Sequence, residues 1–237
     1  MEDVAGEPSL RDHGFVADVA SAVTEAARAQ AARVRRALPG VTEVVVQVDE
    51  PAFTQVLTGA VPTASGRGRV RAPDTQQVRS WLAVIAAGVH VDPSIEVWLH
   101  SCADAAHIPH ALATSWDAVS FDVTRLPAAS LDDVGAAVDA GCRLVPGVLV
   151  PQDWGISRTQ MTDLARARAE RLRSALGLAE QDYARAVTLT PACGLAGATP
   201  AQARAAMDAI ADAARSVCGE TMPAGEFREA GDGDGGL

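Results

Sequence analysis

Ile95-Glu96-Val97-Trp98-Leu99-His100-Ser101-Cys102 is a short apolar run that ends in two side chains able to bind a metal. Its β-branched and aromatic content over Ile95 to Leu99 predicts a strand. Side chains in a strand alternate faces, so His100 and Cys102 point the same way and can share one ion. A tetrahedral zinc needs further ligands. The candidates are Asp122 in Ser120-Phe121-Asp122-Val123 and Cys193 in Thr190-Pro191-Ala192-Cys193-Gly194-Leu195, both at the ends of other expected strands.

Working outward, the same pattern repeats. Phe15 to Leu38 has apolar positions at helical spacing and stops at Pro39-Gly40. Glu43 to Asp49 is a continuous β-branched run that reads as a buried parallel strand. Pro51 to Asp74 reads as a long loop. A helix capped by Asp74 or Thr75 is expected to run to Ala87 and to be ended by Gly88. Further strands are expected at Ala118 to Val123, Leu144 to Val150 and Ala186 to Thr190. Helices are expected at Ala105 to Ser115, Leu131 to Ala140, Arg158 to Leu176 and from Pro200 to about Cys218.

Alternating strands and helices, with the strands apolar throughout, imply a parallel sheet covered by helices. No Gly-x-Gly-x-x-Gly turn follows the first strand, so the dinucleotide-binding open sheet loses its main support. Each strand instead finishes in polar or reactive residues: Gln47-x-Asp49-Glu50, His100-x-Cys102, Asp122, Gln152-Asp153 and Cys193. In a barrel those ends share one rim and surround one pocket. The expected fold is therefore α/β, a (β/α)8 TIM-barrel type that is incomplete, with about five of the eight strands present. Residues 1–12 read as a polar leader, 13–219 as the partial barrel and 220–237 as a disordered acidic, Gly-rich tail.

Composition narrows the function. The net charge of −10 and the scattered arginines argue against nucleic acid as a partner. The absence of lysine removes Schiff-base chemistry and any phosphate loop of the Gly-Lys-Ser/Thr type. No signal-peptide pattern and no apolar run long enough for a membrane span occur, so the expected location is the cytoplasm. The four cysteines lack the spacing of a disulfide framework and read as reduced thiols.

Three motifs together, Gln47-Val48-Asp49-Glu50-Pro51-Ala52, His100-Ser101-Cys102 and Pro191-Ala192-Cys193-Gly194-Leu195, resemble the C-terminal catalytic barrel of cobalamin-independent methionine synthase. The resemblance spans about Phe15 to Cys218. It implies zinc held by His100, Cys102 and Cys193, a thiol acceptor such as homocysteine, and a small-molecule methyl donor. It also implies that Asp49, within the Asp49-Glu50 pair, binds the amino group of the substrate. Asp122 stands where the family has a Glu ligand and is one methylene shorter. Where the family carries a catalytic His, this chain reads Pro151-Gln152-Asp153, and Gln cannot act as a general acid, so the methyl donor is left open. The family's first three strands have no counterpart here, so relative to the family the chain is expected to be truncated at its N-terminal side.

The plainer expectations run alongside. His107 and His110 flank Pro109 and read as surface or capping residues, Cys142 and Cys218 as plain core thiols, and the four tryptophans as core or pocket wall. The alternative to an enzyme is a degenerate barrel acting at most as a metal- or partner-binding module. Such a chain would self-associate through open sheet edges at Val44 to Val48 and Ala186 to Thr190.

Overall fold

The computed structural model describes residues 9–218. In chain order the elements are α1 (His13–Ala37), β1 (Val44–Asp49), α2 (Phe53–Leu57), α3 (Thr75–Val89), β2 (Ile95–Ser101), α4 (Ile108–Leu112) and β3 (Ala118–Asp122). These are followed by α5 (Leu131–Asp139), β4 (Arg143–Leu149), α6 (Arg158–Ala175), α7 (Glu180–Ala186), β5 (Thr190–Pro191) and α8 (Pro200–Cys218). The five strands form one parallel sheet in the order β1-β2-β3-β4-β5. A doubly wound sheet reverses its strand order at a switch point, and this one does not. Every crossover steps the same way, which gathers the helices on one face and lets the sheet curl. The fold is an incomplete α/β barrel of the TIM type, with five parallel strands and alternating helices.

The two faces differ in chemistry because strand side chains alternate. Outward positions such as Ile95, Val97, Leu99, Val119, Phe121 and Leu144 are buried beneath the helices. They pack with Trp81, Leu82 and Ile85 of α3 and Met161, Ala165 and Ala169 of α6 in one core. On the concave face, Trp98 Nε1 donates to Glu96 at 2.9 Å, and Arg143 of β4 lies 3.9 Å from Glu96.

Two glycines set the packing. A Cβ on Gly88 would fall 2.3 Å from Thr24 Cγ2, so α1 and α3 cross where the side chain is missing. Gly88 was expected to end α3, but the helix continues to Val89 because close approach, not termination, is its role. On β4, a Cβ on Gly147 would lie 2.2 Å from Ala192 Cα, just beyond β5.

The structure corrects four further expectations. β1 is an edge strand with Val45 46% exposed, rather than a strand buried on both faces, because nothing described pairs with its outer side. The loop after it contains α2, anchored by buried Phe53. The segment expected as the fifth strand does run beside β4, but its first residue, Ala186, closes α7, which has Glu180 and Asp182 in its first turn and Arg185 in its last, complementing the helix dipole, and buries Tyr183. The strand is only Thr190–Pro191, preceded by an isolated bridge from Val187 to Leu144. Finally, His107 and His110 are buried against Phe53, with ring centroids 6.3 and 5.4 Å away. Residues 220–237, expected as a tail, lie outside the described residues, as does most of the expected leader. Among the described residues no helix is long and apolar enough to cross a membrane.

Candidate metal and thiol site

Parallel registration places the rim residues side by side. Asp49 of β1 pairs with His100 of β2, and His100 with Ser120 of β3, so the three point to the concave face at one level. Cys102 follows one residue beyond β2 and Cys193 two residues beyond β5. A cavity of about 420 Å³ is lined by Gln47, Asp49, His100, Cys102, Ser120 and Cys193, with Met207 of α8 at its wall. Cys102 is half-buried and Cys193 exposed.

The two thiols meet. Burial raises the pKa of Cys102 first, and the adjacent Cys193, by charge and by hydrogen bonding, raises it further. Cys102 in this state is protonated at neutral pH and is not a free nucleophile. What it lacks is a cation. His100 is buried, and loss of solvent lowers its pKa against the opposing charges of Asp49 and Asp122, so the ring is held neutral, the form that binds metals. One ring nitrogen, Nδ1, is 2.8 Å from Ser120 Oγ.

The other expected site residues sit as follows. Asp49 lines the cavity, and its Oδ1 accepts from Gln47 Nε2 at 2.7 Å. Glu50 faces away into a mainly apolar cleft of about 580 Å³ between α1, β1 and α3, where burial and then Asp49 raise its carboxyl pKa. Its backbone N–H donates to His100 O at 2.8 Å, tying the motif to the rim. Asp122 is buried but does not line the cavity; its Oδ1 accepts from Thr124 N at 2.8 Å and from Thr124 Oγ1 at 2.7 Å. Asp153 turns away to pair with Arg168 at 2.5 Å and to accept from Val150 N at 2.8 Å, which fixes the turn carrying Gln152.

Among the described residues no three His, Cys, Asp or Glu side chains stand at metal-ligating distance from one point. The donors fit zinc in kind: two thiols already in contact and one neutral imidazole, all opening on one cavity. The sequence alone assigns Ser120 no role and Gln47 only a place on the rim. Both were detectable, since Ser120 lies two before Asp122 and Gln47 two before Asp49, each on the same face as its partner.

Sheet order, rim and donor set define a barrel-type protein whose strand ends carry thiols, an imidazole and a carboxylate. The sequence profile of the cobalamin-independent synthase catalytic domain matches residues 5–216, and the chain belongs to that family. The family's chemistry is methyl transfer in methionine biosynthesis. A search of curated proteins gives no match.

Proposed function

We propose that this chain is a zinc-dependent methyltransferase acting on a thiol, homocysteine or a related compound, in the cytoplasm, where its rim thiols stay reduced. The observation that carries the reading is the meeting of Cys102 and Cys193 in one cavity with His100 and Asp49. His100, Cys102 and Cys193 would hold the ion, with Asp122 as a further donor if it leaves Thr124. Zinc, when bound, supplies the positive charge that keeps a thiol acceptor deprotonated at neutral pH. Asp49, oriented by Gln47, offers a carboxylate to the ammonium of an amino-acid substrate. Gln152 provides no proton, so the methyl donor need not be a folate.

Metal analysis of the purified protein tests this directly. About one zinc per chain is expected, as a tetrahedral site of this donor set requires. It should be lost in Cys102→Ser and Cys193→Ser, and thiol methylation should be lost with it. Carefully purified wild type without zinc would remove the basis of the proposal.

One observation favours the second reading, a non-catalytic module. Among the described residues β1 presents an unpaired edge, with Val45, Gln47 and Asp49 exposed on the concave face. Such an edge invites self-association. Light scattering that gives a monomer with a single cooperative melt counts against this reading.

A further inference from the structure

We propose that Ser120 is a positioning residue for His100: its Oγ accepts the Nδ1–H of the imidazole and leaves the Nε2 lone pair to the cavity shared with Cys102 and Cys193. The inference deepens the zinc reading above and rests on it for its consequence, though not for its geometry.

A neutral imidazole carries one N–H and one lone pair, and a hydrogen bond at one nitrogen decides which is left at the other. His100 Nδ1 is 2.8 Å from Ser120 Oγ, and both residues are buried, Ser120 to 1% exposure. Solvent therefore has little access to the contact. Of the neighbours in register, Val145 on β4 is apolar, and Asp49 on β1 accepts at Oδ1 from Gln47.

Ser120 is itself held from behind. Its backbone carbonyl accepts from His107 Nε2 at 3.0 Å, and His107 is fully buried. Since the carbonyl can only accept, His107 carries its proton on Nε2. The order is then His107 fixing Ser120, and Ser120 fixing the plane of His100 and, with its Oγ as acceptor, the proposed tautomer. Partners of this kind typically change metal affinity by about 10–100-fold when removed.

The test uses the full chain with Ser120→Ala and Ser120→Thr, each checked for a wild-type melt. In metal-free protein, with the histidines neutral, long-range ¹⁵N–¹H spectra assign the His100 tautomer. The expected result is Nδ1–H in wild type and Ser120→Thr, and a mixed or Nε2–H tautomer in Ser120→Ala. Zinc competition against a chelator should give about 10–100-fold weaker binding for Ser120→Ala and near-wild-type binding for Ser120→Thr. An Nε2–H tautomer in wild type, or a Ser120→Ala protein with unchanged tautomer and zinc affinity, overturns the proposal. A wild type that binds no zinc yet shows the expected tautomers supports the role of Ser120 and overturns the metal reading instead.

Discussion

Replacing Gly147 with alanine should both destabilise the protein and loosen its thiol pair. The new Cβ would meet Ala192 Cα at 2.2 Å, Ala192 Cβ at 2.7 Å and Ala192 N at 2.8 Å. Two of these are backbone atoms, so no rotamer change relieves the contact. Ordinary contact begins near 3.4 Å, so the segment after β5 must withdraw by roughly 1.2 Å. That movement strains the bond from Ala192 N to Leu149 O, 2.7 Å long, and carries Cys193 away from Cys102. Overpacking of this kind costs about 1–3 kcal/mol and a weakened backbone hydrogen bond about 1 kcal/mol more. Without a clash, Gly→Ala would favour folding by about 0.4–1 kcal/mol through the unfolded chain, so the sign of the effect is itself diagnostic. At roughly 2–4 °C per kcal/mol for a domain of this size, the melting temperature should fall by about 4–15 °C. Calorimetry gives that number, and zinc titration of the same samples should show weaker binding. A variant that melts with or above wild type and binds zinc equally would refute the placement of β5 against β4.

Other perturbations separate the roles of individual groups. Burial holds the His107 pKa at about 4, below the ~6.5 of an unfolded chain, so its share of stability is present above pH ~6.5 and is lost as pH falls towards ~4. The loss is about 3 kcal/mol, and urea melts should show it in wild type but not in His107→Gln; parallel pH profiles would refute it. Ser101 Oγ is buried without a partner among the described residues, so Ser101→Ala should be neutral or stabilising by up to about 1 kcal/mol in the same melts. Arg168→Met leaves the Asp153 carboxylate buried and unpaired, and should cost about 3–5 kcal/mol in denaturant midpoint analysis.

How far the sequence reveals this molecule depends on the range of each interaction. Strands β2, β3 and β4 are legible because periodicity and β-branching are local, and so is the capping of α3 by Asp74, which accepts from Gln77 N at 2.8 Å. The parallel, one-way sheet follows from their alternation with helices. Exposure of Val45 is not legible, because it depends on what lies beside β1. Gly88 reads locally as a stop, yet its function lies in Thr24, far away in the chain. His107 and His110 look like surface residues until Phe53 of α2 folds over them. At the site, His100, Cys102, Cys193 and Asp49 could be listed in advance. The orientation of Glu50, and the engagement of Asp122 by Thr124, required the rim itself.

The contact between Cys102 and Cys193 has a mechanical meaning. Their strands, β2 and β5, are three steps apart in the sheet, about 14 Å along it at the usual strand spacing. Two cysteine side chains cannot bridge that distance across a flat surface. The thiols come close enough to influence each other because the sheet is bowed, and their separation is the chord of that arc. An ion or a cross-linker of fixed span placed between them would therefore act as a gauge of curvature: anything that flattens the sheet releases it, and anything that grips it holds the half-barrel bent.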